Sequence, residues 1–174
     1  MFSSPYVATA VRFVVFAALQ VLVLSRIGAG EEWARYVQPL LYPVVVLLLP
    51  VGLPTVVVLA VAFALGLAID VFVGAIGIHA AALVITGFAR SAALALLEPR
   101  EGYNIGQVPT RRQFGMQWFA SYAAILLGVH VFSYFAVEAF TFVYIGEILM
   151  RAVGSFCVSM ILVLLYVLVF DPRA

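Results

Sequence analysis

Two groups of polar side chains interrupt otherwise apolar stretches of this sequence, and their types and spacing could support chemistry. The first lies in GLAIDVFVGAIGIHA, Gly66–Ala80, where Asp70 is the only acid in a run otherwise uncharged from Gly52 to Ala89 and His79 follows it. A carboxylate beside an imidazole can relay a proton, hold a ligand or pin a turn. An acid at the centre of a membrane helix costs about 2.5 to 3.5 kcal/mol, so Asp70 needs a partner or a position near a helix end. Gly66, one turn earlier on the same face, suits close approach of a neighbouring helix, and Gly74 and Gly77 suit a tight turn. On a structural reading, Asp70 accepts backbone N–H bonds around Gly77–Ile78 at the start of the next helix, and His79 bonds back to it or faces an interface. On a functional reading, Asp70 and His79 bind a ligand, a proton or a partner protein. The residues alone leave both open.

The second group is Tyr122, His130, Tyr134 and Glu138. Their separations are multiples of four, which makes a slowly drifting helical stripe with Leu126 between them. Interhelical hydrogen bonding or a partner contact would use such a stripe. Ala120, Ala124 and Gly128 form small-xxx-small steps on another face, and Ser155 and Ser159 form one more. No HExxH, GxSxG or GxxxxGK[ST] pattern occurs. Two histidines on different helices make a poor metal site, and the single Cys157 cannot form an internal disulfide. No catalytic, metal or cofactor residue is therefore assigned. An intramembrane enzyme would need at least two of Asp70, His79 and His130 to converge in a wet cavity.

The elements that position these residues follow from composition. The chain has 174 residues, 66% hydrophobic and 10% charged, with a mean hydropathy of +1.20. A soluble domain carries about 25% charged residues, so this composition marks an integral membrane protein. Net charge is +1, which gives no basis for nucleic-acid binding. The N-terminal apolar run has no basic residue before Arg12 and is long enough to span, so it reads as a retained helix rather than a signal peptide.

Six hydrophobic segments can be marked, at about Tyr6–Ser25, Tyr36–Gly52, Leu53–Val73, Ile76–Leu97, Gly115–Val137 and Ile148–Phe170. All are expected to be helices, giving an all-α, single-domain bundle of about six spans over residues 1–174. The second segment, with Pro39, Pro43 and Pro50, is the weakest helix. The loop Glu98–Gln113 reads as an irregular, solvated, arginine-bearing surface segment. Six spans put both termini and that loop on one side, which holds Arg12, Arg90, Arg100, Arg111, Arg112 and Arg173. The positive-inside rule makes that side cytoplasmic.

FALGLAIDVFVGAIGIHAAALVITGFAR, Phe63–Arg90, resembles the central signature of the MreD family, the bacterial rod shape-determining membrane proteins. The matching positions are Gly66, Leu67 and Asp70, then Gly77, Ile78, His79 and Ala80. Arg12, Gln20 and the proline-rich second segment fit the same family, and the stretch from Glu98 to Phe140 resembles its Bacteroidota-type branch. The resemblance implies a non-enzymatic scaffold of the cell-elongation complex in the bacterial inner membrane. Its partners would be the single-span protein MreC, and through it MreB, RodA and RodA's transpeptidase partner, with membrane lipids around it. It also implies a fold similar to the substrate-binding subunits of energy-coupling-factor transporters, so the alternative is a vitamin-binding transporter subunit. Gly66, Asp70, Gly74, Gly77, His79, His130 and Tyr134 are the structural or partner-binding candidates. A vitamin binder should carry a concave outer pocket with convergent polar groups. A scaffold should carry a groove of small and apolar residues at lipid depth.

Overall fold

The computed structural model describes residues 5–27, 36–75, 77–140 and 145–170, and they are all-α. The elements are α1 (Pro5–Leu22), which runs into a 3-10 turn at Leu24–Arg26, the one-turn α2 (Val44–Leu47), α3 (Thr55–Val73) and α4 (Ile78–Leu96). The short α5 (Arg111–Phe114), α6 (Met116–Ala139) and α7 (Ile145–Phe170) complete the bundle. Five stretches, within or around α1, α3, α4, α6 and α7, are long and apolar enough to cross a bilayer, which makes this a multi-pass membrane protein. α3, with 19 residues, is about 28 Å long at 1.5 Å per residue, close to the thickness of the hydrocarbon layer.

Breaks between helices fall where the sequence forces them. Pro54 precedes α3 and has no N–H to lose. Gly74, at φ 78°, closes α3 in the left-handed conformation, and its N–H bonds the Asp70 carbonyl at 2.9 Å. Gly77, at φ 76°, opens α4. α3 and α4 are antiparallel, with Gly66 beside Ala80 at one end and Gly87 beside Val58 and Ala62 at the other. α6 runs antiparallel to both α4 and α7. α1 runs parallel to α3. The cleft between them is lined by Thr9 and Leu53 towards one end and by Leu22 and Phe72 towards the other.

That parallel pairing forces the chain to return between α1 and α3 through the length of the bundle. We call the end where α1 begins and α7 finishes the lower end. The second hydrophobic segment makes the return, and it is not a helix: only Val44–Leu47 is helical, and the rest is irregular. The expectation of a helix in every hydrophobic segment is corrected here: among the described residues five helical stretches are long and apolar enough to span, and the second segment makes its passage as largely irregular chain. Prolines at 39, 43 and 50 are the cause, because each removes a helix donor and disfavours helical geometry in the preceding residue.

Every residue from Pro39 to Pro50 is buried, so its backbone polar groups need protein partners. Ser155 Oγ accepts from Gln38 N–H at 2.9 Å, and Ser159 Oγ accepts from Leu40 N–H at 2.9 Å. The Gln20 amide acts like a strand edge, donating to the Pro39 carbonyl at 3.1 Å and accepting from Leu41 N–H at 3.2 Å. Lower down, Tyr122 O–H donates to the Leu47 carbonyl at 3.1 Å, and the Arg90 guanidinium donates to the carbonyls of Leu49 and Pro50. Val51 then pairs with the following loop, donating to the Gln107 carbonyl at 2.6 Å and accepting from Gly106 N–H at 3.0 Å.

The expectation of a purely surface loop over Glu98–Gln113 is also corrected. Val108 and Thr110 are buried. Tyr103 O–H donates to the Leu94 carbonyl at 2.8 Å, and Trp118 Nε1–H donates to that of Leu97 at 2.7 Å.

Substituting Gln20→Leu keeps the bulk but leaves two buried backbone groups without partners. The expected cost is about 2 to 4 kcal/mol, read as a lower thermal unfolding midpoint of the purified protein in mild detergent.

Candidate functional site

Asp70 joins α3 to α4 through both its main chain and its side chain. Its carbonyl accepts from the N–H groups of Gly74 and Ala75 at 2.9 and 3.1 Å, which ends α3. One carboxylate oxygen accepts from His79 N–H at 3.1 Å and from His79 Nδ1–H at 2.8 Å. The other accepts from Ala80 N–H at 3.0 Å, so the side chain begins α4. The expected cap around Gly77–Ile78 is corrected by one or two residues. With Gly77 in the left-handed conformation, the first-turn donors that reach the carboxylate are those of His79 and Ala80. An acceptor-only group on the orphan N–H groups of a helix start is electrostatically matched to the helix dipole.

Gly66 explains how the two helices come near enough for this. A Cβ there would sit 2.7 Å from the His79 carbonyl carbon and closer still to the Ala80 backbone. A real side-chain atom cannot occupy that space, so the α3–α4 crossing requires glycine.

The residues that the spacing places on one stripe of α6 face inward, except Glu138. Tyr122, Leu126, His130 and Tyr134 are buried, while Glu138, at the upper end, pairs with Arg151 of α7 at 2.8 Å. The Arg151 guanidinium also sits 4.5 Å from the Phe135 ring centroid. His130 bridges two elements. Thr86 O–H donates to the Ala82 carbonyl at 2.7 Å, so its oxygen accepts from His130 Nδ1–H at 2.9 Å. His130 Nε2 is then left to accept from Tyr42 O–H at 2.8 Å, which fixes the tautomer. Tyr134 accepts from the Gln38 side-chain amide at 3.0 Å.

These candidates converge around a residue that sequence reasoning did not single out. The Tyr42 ring lies 5.6 Å from His79 and 5.1 Å from His130, and His79 lies 5.1 Å from Tyr134. Tyr42 stands directly before Pro43 in the proline-rich segment. A polar-tipped aromatic between prolines was the only signal available. Ser155 and Ser159, which have the spacing of a helix-packing step, hold the backbone of the return segment instead. On the Ala120–Ala124–Gly128 face, the nearest atom to a Cβ at Gly128 would be Phe156 Cε2 at 4.0 Å, so that glycine allows no unusually close packing.

The polar core is dense and closed. Asp70, His79 and His130 are 2%, 1% and 0% exposed, so their chemistry is directed at one another and at the backbone. His79 Nε2 is the exception: it is buried with no hydrogen-bond partner among the described residues.

Clefts lie on the outside of the bundle. Two, of 650 and 370 Å³, share Phe13 and Val14 and form one trough between α1 and α3. Its walls carry Ala10, Ala17 and Ala18 on α1 and Ala60, Ala64 and Ala68 on α3. Another, of 560 Å³, lies between α1 and α7, where Phe16 meets Tyr166 edge to face at 4.9 Å between ring centroids.

The chain matches no protein-family model, no curated protein and no solved structure.

Asp70→Ala would strand the His79 and Ala80 N–H groups together with His79 Nδ1, at an expected cost of about 3 to 5 kcal/mol. Gly66→Ala should destabilise by about 2 kcal/mol or more through overpacking. Both should lower the unfolding midpoint and the amount of protein in the membrane. An Asp70→Ala protein of unchanged stability would show that the carboxylate is not the structural tie described.

Proposed function

We propose that this chain is a non-enzymatic membrane scaffold of the bacterial cell-elongation machinery, related to MreD, and that it binds the membrane helix of a single-span, MreC-like protein. Through that partner it would link cytoplasmic MreB filaments to peptidoglycan synthesis by RodA and its transpeptidase partner. The observation that carries the reading is the trough between α1 and α3, which extends over much of the length of both helices and has alanines on both walls. Small residues let helix backbones approach closely, and close packing is the main source of helix association in lipid.

The polar core supports the same reading. Asp70, His79, His130, Tyr42 and Tyr134 are the groups a vitamin site could have used, and they are turned inward and bonded within the protein. Their role in this reading is to hold the helices that form the trough walls. The placement proposed is the inner membrane with the lower end cytoplasmic. Arg90, Arg100, Arg111 and Arg112 lie on α4, the loop or α5 toward that end, while Arg26 and Arg151 lie toward the other with Glu138.

The test is affinity capture of the tagged protein from its native membrane in mild detergent, followed by mass spectrometry. A single-span protein with a coiled-coil extracytoplasmic part is expected. Recovery of two ATPases and a transmembrane coupling protein would replace this reading with the vitamin-transport one. Ala64→Phe, which puts a ring into the trough, should cut partner capture by about tenfold without lowering the unfolding midpoint. Val71→Phe, on the exposed face of α3 outside the trough, should leave capture intact.

A further inference from the structure

A smaller cavity of 220 Å³ opens at the lower end, between the first turns of α3 and the last turns of α4. Its inner wall is formed by the buried Val58, Gly87, Arg90 and Leu94, and its rim by the exposed Gly52, Thr55 and Ser91. It differs from the apolar clefts because it combines a buried positive charge, a helix N-terminus and a polar mouth.

Arg90 is the first observation. It is 4% exposed, and it forms no ion pair with any described carboxylate. One of its terminal nitrogens donates to the carbonyls of Leu49 and Pro50. Those carbonyls orient the guanidinium without neutralising it, and Nε is buried with no acceptor among the described residues. A guanidinium in low dielectric without a counter-charge retains a strong field, which attracts an anion.

The N-terminus of α3 is the second, independent observation. Pro54 has no side-chain hydrogen bond to cap the helix. Its carbonyl accepts from Val57 and Val58 N–H. Thr55, at the rim, begins the 19-residue helix whose dipole is positive at this end. The last turns of α4 bring the negative end of its dipole to the opposite wall, so the net positive charge at the cavity is that of Arg90, with the free first-turn N–H groups of α3 as added donors.

We propose that this cavity is a binding site for a phosphate-type oxyanion, held by the Arg90 field and the first turn of α3 with the Thr55 hydroxyl. Its volume suits a phosphate group and is below the range of pockets that enclose whole drug-sized ligands. The same chemistry is offered by the phosphate of an anionic lipid headgroup and by free phosphate. The occupant would neutralise Arg90 and brace the carbonyls of Leu49 and Pro50 where the return segment leaves the bundle.

The full chain, purified in detergent, is tested with two probes. Phosphatidylglycerol retention is followed by native mass spectrometry, and the rise in unfolding midpoint with inorganic phosphate is measured against chloride at equal ionic strength. The decisive variant is Thr55→Asp. An acid in the first turn of an exposed helix start is favoured by the helix dipole, so the fold is kept while the rim becomes repulsive. Affinity for the bound probe should fall about tenfold or more. Arg90→Gln should also lose binding, but it loosens the Leu49 and Pro50 carbonyls as well. Lipid retention without a response to inorganic phosphate assigns the site to a headgroup. A response to inorganic phosphate without lipid retention assigns it to the soluble ion. Binding of neither probe, or equal binding by Thr55→Asp, overturns the proposal and leaves a cavity that holds water.

Discussion

Backbone hydrogen bonding in a medium without water is the constraint on which the rest of this structure depends. A helix satisfies its own N–H and C=O groups, but the stretch from Tyr36 to Gly52 does so only around α2, where the N–H groups of Val44 to Leu49 bond carbonyls of the same segment. Outside these local bonds, a buried donor or acceptor needs a group from elsewhere in the chain. Prolines lessen the demand by removing donors at 39, 43 and 50. Gln20, Ser155, Ser159, Tyr122 and Arg90 meet much of what remains. The helices are thus arranged around an irregular central strand of chain, and their buried polar residues are placed by what that strand requires.

Asp70 solves a second problem of the same kind at the opposite end. Two long helices joined by a few residues leave free carbonyls on one and free N–H groups on the other. A single aspartate answers both, the carbonyls indirectly through the glycine turn and the N–H groups through its carboxylate. Its charge is tolerated because three donors surround it, one of them the imidazole of His79. Gly66 is part of this solution, because a larger residue would push α4 away.

Much of this was legible in the sequence. Composition announced the membrane, and apolar run lengths placed α1, α3, α4, α6 and α7 to within a few residues. The spacing of Tyr122, Leu126, His130 and Tyr134 placed them on one stripe of a helix, since helical periodicity is local information, but did not say that the stripe faces inward. The Asp70–His79 tie was one of two uses that the sequence left open, because an isolated acid followed by two glycines and a histidine could equally hold a ligand, a proton or a partner. The conformation of Tyr36–Gly52 was not legible. Hydropathy reports burial but not geometry, and the partners of this segment lie as far as 119 positions away. Ser155 and Ser159 looked like small residues for packing, because nothing nearby shows that an extended backbone will pass beside them. Tyr42 was hidden for the same reason.

The return segment also has a consequence for the order in which the protein can be made. Gln38 and Leu40 receive their acceptors from Ser155 and Ser159 on α7, which is synthesised after α1 to α6. Until α7 arrives, these N–H groups have neither helical partners of their own nor the protein partners that replace them. The nascent chain must therefore keep this stretch near water, or shielded by the insertion machinery, while four long helices already occupy the membrane. The bundle closes from its C-terminal end, and the segment that lies at its centre is among the last parts to reach its final place.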